Sequence, residues 1–139
     1  MENYNENEIM TGETAETVGE PMDSLSPEEL AAELARMLED KKAFDVKILN
    51  LQGKSDICDY FVLATGTSNT HVRALAGDLE YKTGLRKAPP FHIEGRGGNT
   101  WMVLDYTTVI VHIFTRETRE FYHLEKLYRA DTVPVEGAH

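Results

Sequence analysis

Residues 60–64, YFVLA, are nearly all apolar and show no alternation. A half-buried strand alternates apolar and polar side chains, so a run of this kind reads as a strand covered on both faces. Thr65-Gly66-Thr67-Ser68 follows directly, and Val72, Leu75, Ala76 and Leu79 then recur at helical spacing. A buried strand that passes through a short turn into a helix places the chain in the α/β class, with helices layered on a sheet. Strand, glycine turn and helix is also the geometry by which many proteins hold a phosphate.

The rest of the pattern agrees with that class. Ser26-Pro27-Glu28-Glu29 combines an N-cap serine, a proline at the first helical position and the glutamate of a capping box. Leu30, Leu34, Met37 and Leu38 continue at helical spacing, predicting a helix over 27–42. Residues 45–51, DVKILNL, alternate as a strand does and end at Gln52-Gly53-Lys54. The second helix is expected to run from Ser68 to Thr83-Gly84, with the glycine as C-cap. Short strands are expected over 91–94, 100–105 and 109–114, the last two joined as a hairpin around Tyr106-Thr107-Thr108. Thr115 caps a third helix with Phe121, Leu124, Leu127 and Tyr128 facing inward. The expected fold is one α/β domain with a mixed five-stranded sheet and flanking helices.

At 139 residues the chain is long enough to build its core without disulfides, and its single cysteine, Cys58, excludes an internal disulfide framework. The net charge of −10 is concentrated at the start: residues 1–23 hold seven acidic and no basic side chains. That segment reads as a disordered acidic tail, serving solubility or competing for a basic partner. Residues 24–130 form the α/β domain, and 131–139, with Pro134 and Gly137, read as a loose C-terminal tail. An acidic body is repelled by phosphate backbones and suits a basic protein surface, so direct DNA or RNA binding is disfavoured. No segment reaches the ~20 apolar residues that span a bilayer, and the acidic start lacks the form of a secretory signal. A cytoplasmic protein is expected.

The turn after the buried strand lacks the parts that nucleotide chemistry needs. GTSNTH has no Walker lysine beside its hydroxyls, and Gly66 stands alone where a dinucleotide loop has three glycines. No alternating carboxylate pair follows it to hold a metal; Asp56 and Asp59 precede it, three residues apart. Structural capping by the turn hydroxyls is the alternative. The histidines, His71, His92, His112, His123 and His139, show no metal-ligand spacing. His112 lies in the apolar strand VIVHIF, where a hydrogen-bonded structural role competes with pairing to Cys58 as a nucleophile's base. No cofactor and no catalytic residue is expected.

EGRGGNTWMVLDY is more informative. Period two along 101–105 puts Trp101, Val103 and Asp105 on one face, and Met102, Leu104 and Tyr106 on the other. The Met102/Leu104 face suits the core. Three helices leave part of a five-stranded sheet uncovered, and a bare face with an aromatic anchor is what a protein interface needs. Trp101 as core beneath the first helix is the competing reading.

Taken in order, DYFVLATGTSNTHVRAL, EG, W-x-V-L-D-Y, V-I-V-H-I-F and REFY-x-LEKLY resemble the ribosomal silencing factor family (RsfS, also called Iojap-like) over residues 26–130. The resemblance implies a nucleotidyltransferase-like α/β fold without catalytic carboxylates. It further implies binding to the large ribosomal subunit through that subunit's ribosomal protein fourteen. Such binding blocks joining of the small subunit and represses translation when nutrients are scarce. It also implies a role in subunit maturation and a homodimer in the free state. The implied partner-binding residues are Trp101, Asp105 and Tyr106, with Glu94 nearby. The alternatives are a divergent nucleotidyltransferase using Gly66-Thr67-Ser68, or a large-subunit assembly factor. The chain departs from the family at Thr107-Thr108, where Gly-Asp is usual, at His123 in place of an acid, and at Tyr128 in place of Trp.

Overall fold

The computed structural model describes residues 19–98, 100–124, 126 and 131–133. Helix α1 (Pro27–Asp40) starts where the capping box predicts. The Ser26 hydroxyl accepts from the Glu29 amide at 3.1 Å, and the Glu29 carboxylate accepts from the Ser26 amide at 3.0 Å. Strands β1 (Phe44–Asn50) and β2 (Tyr60–Gly66) follow, then helix α2 (Asn69–Leu85). Strand β3 (His92–Glu94) precedes the hairpin of β4 (Trp101–Asp105) and β5 (Val109–Thr115), and α3 (Arg116–Tyr122) and β6 (Asp131–Val133) complete the order. Gly84 is not the cap of α2. The helix runs on to Leu85, and Lys87, at φ 66°, takes the left-handed conformation just beyond Arg86.

The strands line up as β3-β4-β5-β2-β1-β6. β2 and β5 are parallel and every other pairing is antiparallel, which is the mixed sheet expected. All seven residues of β2 are buried, as the absence of alternation predicts. To the five expected strands the structure adds a sixth. Residues 131–133, assigned by sequence to a loose tail, pair with Ile48, Leu49 and Asn50 of β1. Residues 134–139 lie outside the described residues.

Helices α1 and α2 both cover one face of the sheet. Leu34, Leu38, Val72, Leu75 and Leu79 meet Val62, Met102, Leu104, Val111 and Ile113 there. The opposite face has a smaller cluster of Leu49, Leu51, Cys58, Phe61, Leu63, Phe114 and Leu124. Helix α3 serves that second face but is short. His123 ends it in the left-handed conformation (φ 52°), which breaks the helical period. Phe121, expected to face inward, is therefore 77% exposed, while Leu124 is buried. Leu127 and Tyr128 lie outside the described residues.

The boundary of the leading segment also moves. Residues 1–18 lie outside the described residues, but 19–23 belong to the body. Met22 is 2% exposed and joins the larger core. Its amide donates to the Arg86 carbonyl at 2.7 Å. The Arg86 side chain returns a bond to the Glu20 carbonyl and another to the Glu33 carboxylate, each at 2.6 Å. The charge run that marks this stretch as a tail hides one apolar side chain that docks.

Candidate functional site

The turn after β2 serves packing. A Cβ on Gly66 would lie 2.9 Å from Val72 Cγ2 and 3.0 Å from the Val72 nitrogen, so only glycine lets α2 approach the strand this closely. Two amides at the turn and helix start are occupied from within. Thr67 N–H donates to His71 Nδ1 at 2.9 Å, and His71 N–H donates to the Ser68 hydroxyl at 3.1 Å. Asp56 and Asp59 lie before the first residue of β2, whereas Gly66 is its last. A seven-residue strand is about 20 Å long, so these carboxylates sit at the far end from the turn.

A polar pocket beside the turn is lined by Asp45, Thr65, Arg116, Arg119, Glu120 and His123. Arg119 donates to the Asp45 carbonyl at 2.6 Å and to the Thr65 hydroxyl at 2.8 Å, tying α3 to the ends of β1 and β2. Two carboxylates balance two guanidiniums here, so the pocket favours neither anion nor cation. Among the described residues no three His, Cys, Asp or Glu side chains come together as a metal site.

Strand β4 alternates as its sequence dictates. Met102 and Leu104 are fully buried under the helices, while Trp101, Val103 and Asp105 are half-buried on the opposite face. Trp101 is therefore not core beneath α1, which packs on the other side. It belongs to an aromatic group on the second face, with its ring 5.6 Å from Phe114 and 5.8 Å from His112. Its indole Nε1 donates to His112 Nδ1 at 3.0 Å. His112 in turn stands edge-on to Phe61 at 4.5 Å. Burial pushes the His112 pKa down to about 4, so the ring is neutral at physiological pH.

Along the same face, β3 brings His92 opposite Asp105 and Glu94 opposite Val103. His92 Nε2 and the Glu94 carboxylate lie 3.0 Å apart, with the Glu94 side chain 70% exposed. The Asp105 carboxylate accepts from the Thr107 amide at 2.7 Å, closing the hairpin tip. Trp101, Asp105 and Glu94 thus share one surface. Tyr106 does not. The strand's alternation turns it inward, where it is buried and its hydroxyl lies 3.1 Å from Thr83 Oγ1. Burial pushes its phenol pKa up, against the Thr83 hydrogen bond. Tyr106 supports the hairpin from below.

Cys58 and His112 do not form a nucleophile–base pair. The Cys58 thiol donates to the Tyr60 carbonyl at 3.5 Å, and burial pushes its pKa up to about 11, which suppresses the reactive thiolate. The acceptor nitrogen of His112 is held by Trp101. Sequence reasoning did not find that bond. The signal was present, since pairing 101–105 with 109–114 as a hairpin brings Trp101 and His112 to one face as diagonal neighbours.

Comparison with known proteins fits this geometry. Residues 24–138 match the family model described as ribosomal silencing factor during starvation. The ribosomal silencing factor RsfS of Halalkalibacterium halodurans is 35% identical over 114 residues, covering 81% of this chain and 97% of that protein. The mouse (Mus musculus) protein named mitochondrial assembly of ribosomal large subunit protein 1 is 34% identical over 98 residues, 68% of this chain and 43% of its own length. A crystal structure from Bacillus halodurans superposes with a TM-score of 0.68 at 32% identity, covering 78% of this chain and 99% of the other. A six-stranded sheet with both large helices on one face, and a family match spanning all of it, identify the chain as a member of the ribosomal silencing factor (RsfS) family.

Proposed function

We propose that this chain binds the large ribosomal subunit through ribosomal protein fourteen and sterically excludes the small subunit, repressing translation when nutrients are limiting. The observation that carries this reading is the half-covered sheet face. Trp101 presents part of a large aromatic surface there, and Asp105 and Glu94 add negative charge beside it. An aromatic anchor with acids along the same strand edge suits a basic protein partner. The mechanism is occupancy of space and requires no covalent step, in keeping with a turn at Gly66 that is packed against Val72 and has two of its nearby amides bonded from within. The setting is the cytoplasm, and the free protein is a homodimer.

The test is co-sedimentation of the full chain with isolated large subunits, small subunits and joined particles. Binding to large subunits only is expected, weakened by Trp101→Ala. Asp105→Asn keeps the acceptor for Thr107 while removing the charge, and is expected to weaken binding more at low salt than at high. Failure of the unaltered chain to bind large subunits would overturn the function. Unaltered binding by both variants would move the contact elsewhere. A role in large-subunit assembly through the same contact is the second reading, favoured by the name of the mouse relative. Depletion that accumulates large-subunit precursors would select it.

A further inference from the structure

We infer that His112 is a positioning residue: it holds the Trp101 indole in one orientation on the open sheet face by accepting its N–H. The inference rests on the reading of that face as the partner surface. Indole nitrogen is a donor only, so the 3.0 Å contact fixes the roles: Nε1–H gives and His112 Nδ1 receives. An accepting Nδ1 requires a neutral ring with its proton on Nε2. Nε2 is buried and has no hydrogen-bond partner among the described residues, so none of them competes to set the tautomer.

Trp101 stands opposite Phe114 and His112 stands opposite Val103, so the two rings are diagonal neighbours across an antiparallel ladder. Phe61 and Phe114 wall the imidazole on its other sides, at 4.5 and 6.1 Å between ring centroids. The ionisable groups placed around this face are Lys47 on β1, Asp105 on β4, His92 and Glu94 on β3, Cys58 before β2, and Arg119 on α3. None of them bonds either nitrogen of His112. Without His112 the half-buried indole N–H loses the acceptor that holds it. The aromatic anchor would then be mobile, and ordering it again on binding costs affinity.

Trp101 is the chain's one tryptophan, so its state is directly readable. In the unaltered protein, nitrogen NMR of His112 is expected to show a protonated Nε2 and a bare Nδ1, with slowed exchange of the indole N–H. A proton on Nδ1 at neutral pH would overturn the inference without any variant. His112→Leu is expected to red-shift Trp101 emission, raise its quenching by acrylamide and weaken large-subunit binding about fivefold, the effect of one hydrogen bond. His112→Asn places an acceptor near the original Nδ1 and is expected to restore both the emission and the binding. Emission and quenching unchanged in the leucine variant, or an asparagine variant that behaves like leucine, would also overturn it. If the leucine variant frees the indole yet binds large subunits normally, His112 positions Trp101 as inferred and the partner surface lies elsewhere.

Discussion

Replacing Met22 with alanine should destabilise the protein by about 2 kcal/mol, although the residue lies in a stretch whose charge suggests a solvated tail. Removing a buried methionine from a core costs about 2–5 kcal/mol, and Met22 is 2% exposed within the larger core. The lower end applies because the segment is terminal. When its anchor is lost it can undock, so the loss is capped at the free energy of docking residues 19–22. That docking comprises the Met22 side chain, its amide bond to Arg86 and the Arg86 bond to the Glu20 carbonyl. Urea denaturation should show a lower midpoint with an unchanged or slightly smaller slope, and thermal unfolding should shift down by about 8 °C or more. Truncation before residue 19 should leave the midpoint in place, whereas truncation before residue 24 should match or exceed the alanine variant. A chain starting at residue 24 that is as stable as the full one would refute the reasoning and return residues 19–23 to the tail.

Thr107→Gly should stabilise the hairpin by about 1 kcal/mol, since a β-branched residue at φ 77° is strained and glycine is not; a lower thermal midpoint in the glycine variant would contradict this. Acid should weaken the fold in two windows. His112 titrates at 6.5 when unfolded and about 4 when folded, so the unfolded chain takes up the proton first. Stability then falls as pH drops from about 6.5 to 4, by up to about 3 kcal/mol at 1.36 kcal/mol per unit. Burial alone would raise the Glu33 pKa, but hydrogen bonds from Arg36 and Arg86 outweigh it and hold the carboxyl below its ordinary value. The stability it contributes is complete above the unfolded carboxylate range and is lost as pH falls through the folded value. Urea midpoints measured from pH 7 to 3 should therefore fall more steeply between 6.5 and 4 in the unaltered chain than in His112→Asn; a parallel decline in both would contradict the assignment.

The elements were legible where one local rule dominated. The capping box gave the start of α1, unbroken apolarity gave β2, and alternation along 101–105 gave both faces of β4. The sequence also exposed what the turn at Gly66 lacks. Its positive role was hidden, because Val72 approaches Gly66 only after α2 folds back over β2. Met22 was hidden by its acidic neighbours, since its partner Arg86 is 64 positions away in the sequence and acts through a backbone carbonyl. Phe121 was misplaced because helical period was extended past His123, whose left-handed conformation no propensity announced. Tyr106 was assigned to the partner surface by resemblance while the alternation rule already turned it inward, and the structure sides with the alternation.

The two ends of the sheet are closed by strands of only three residues, β3 and β6. Such short edges offer little backbone for a foreign strand to continue, a common protection against edge-to-edge growth. Among the described residues, the sheet face around Trp101 is covered by the short helix α3 and Leu124. On the function proposed above, pairing of two chains would be steered away from the ladder and onto the sheet face that carries Trp101. A pair of chains joined there would be a stored form, with its contact surface masked until a ribosomal partner displaces the second copy.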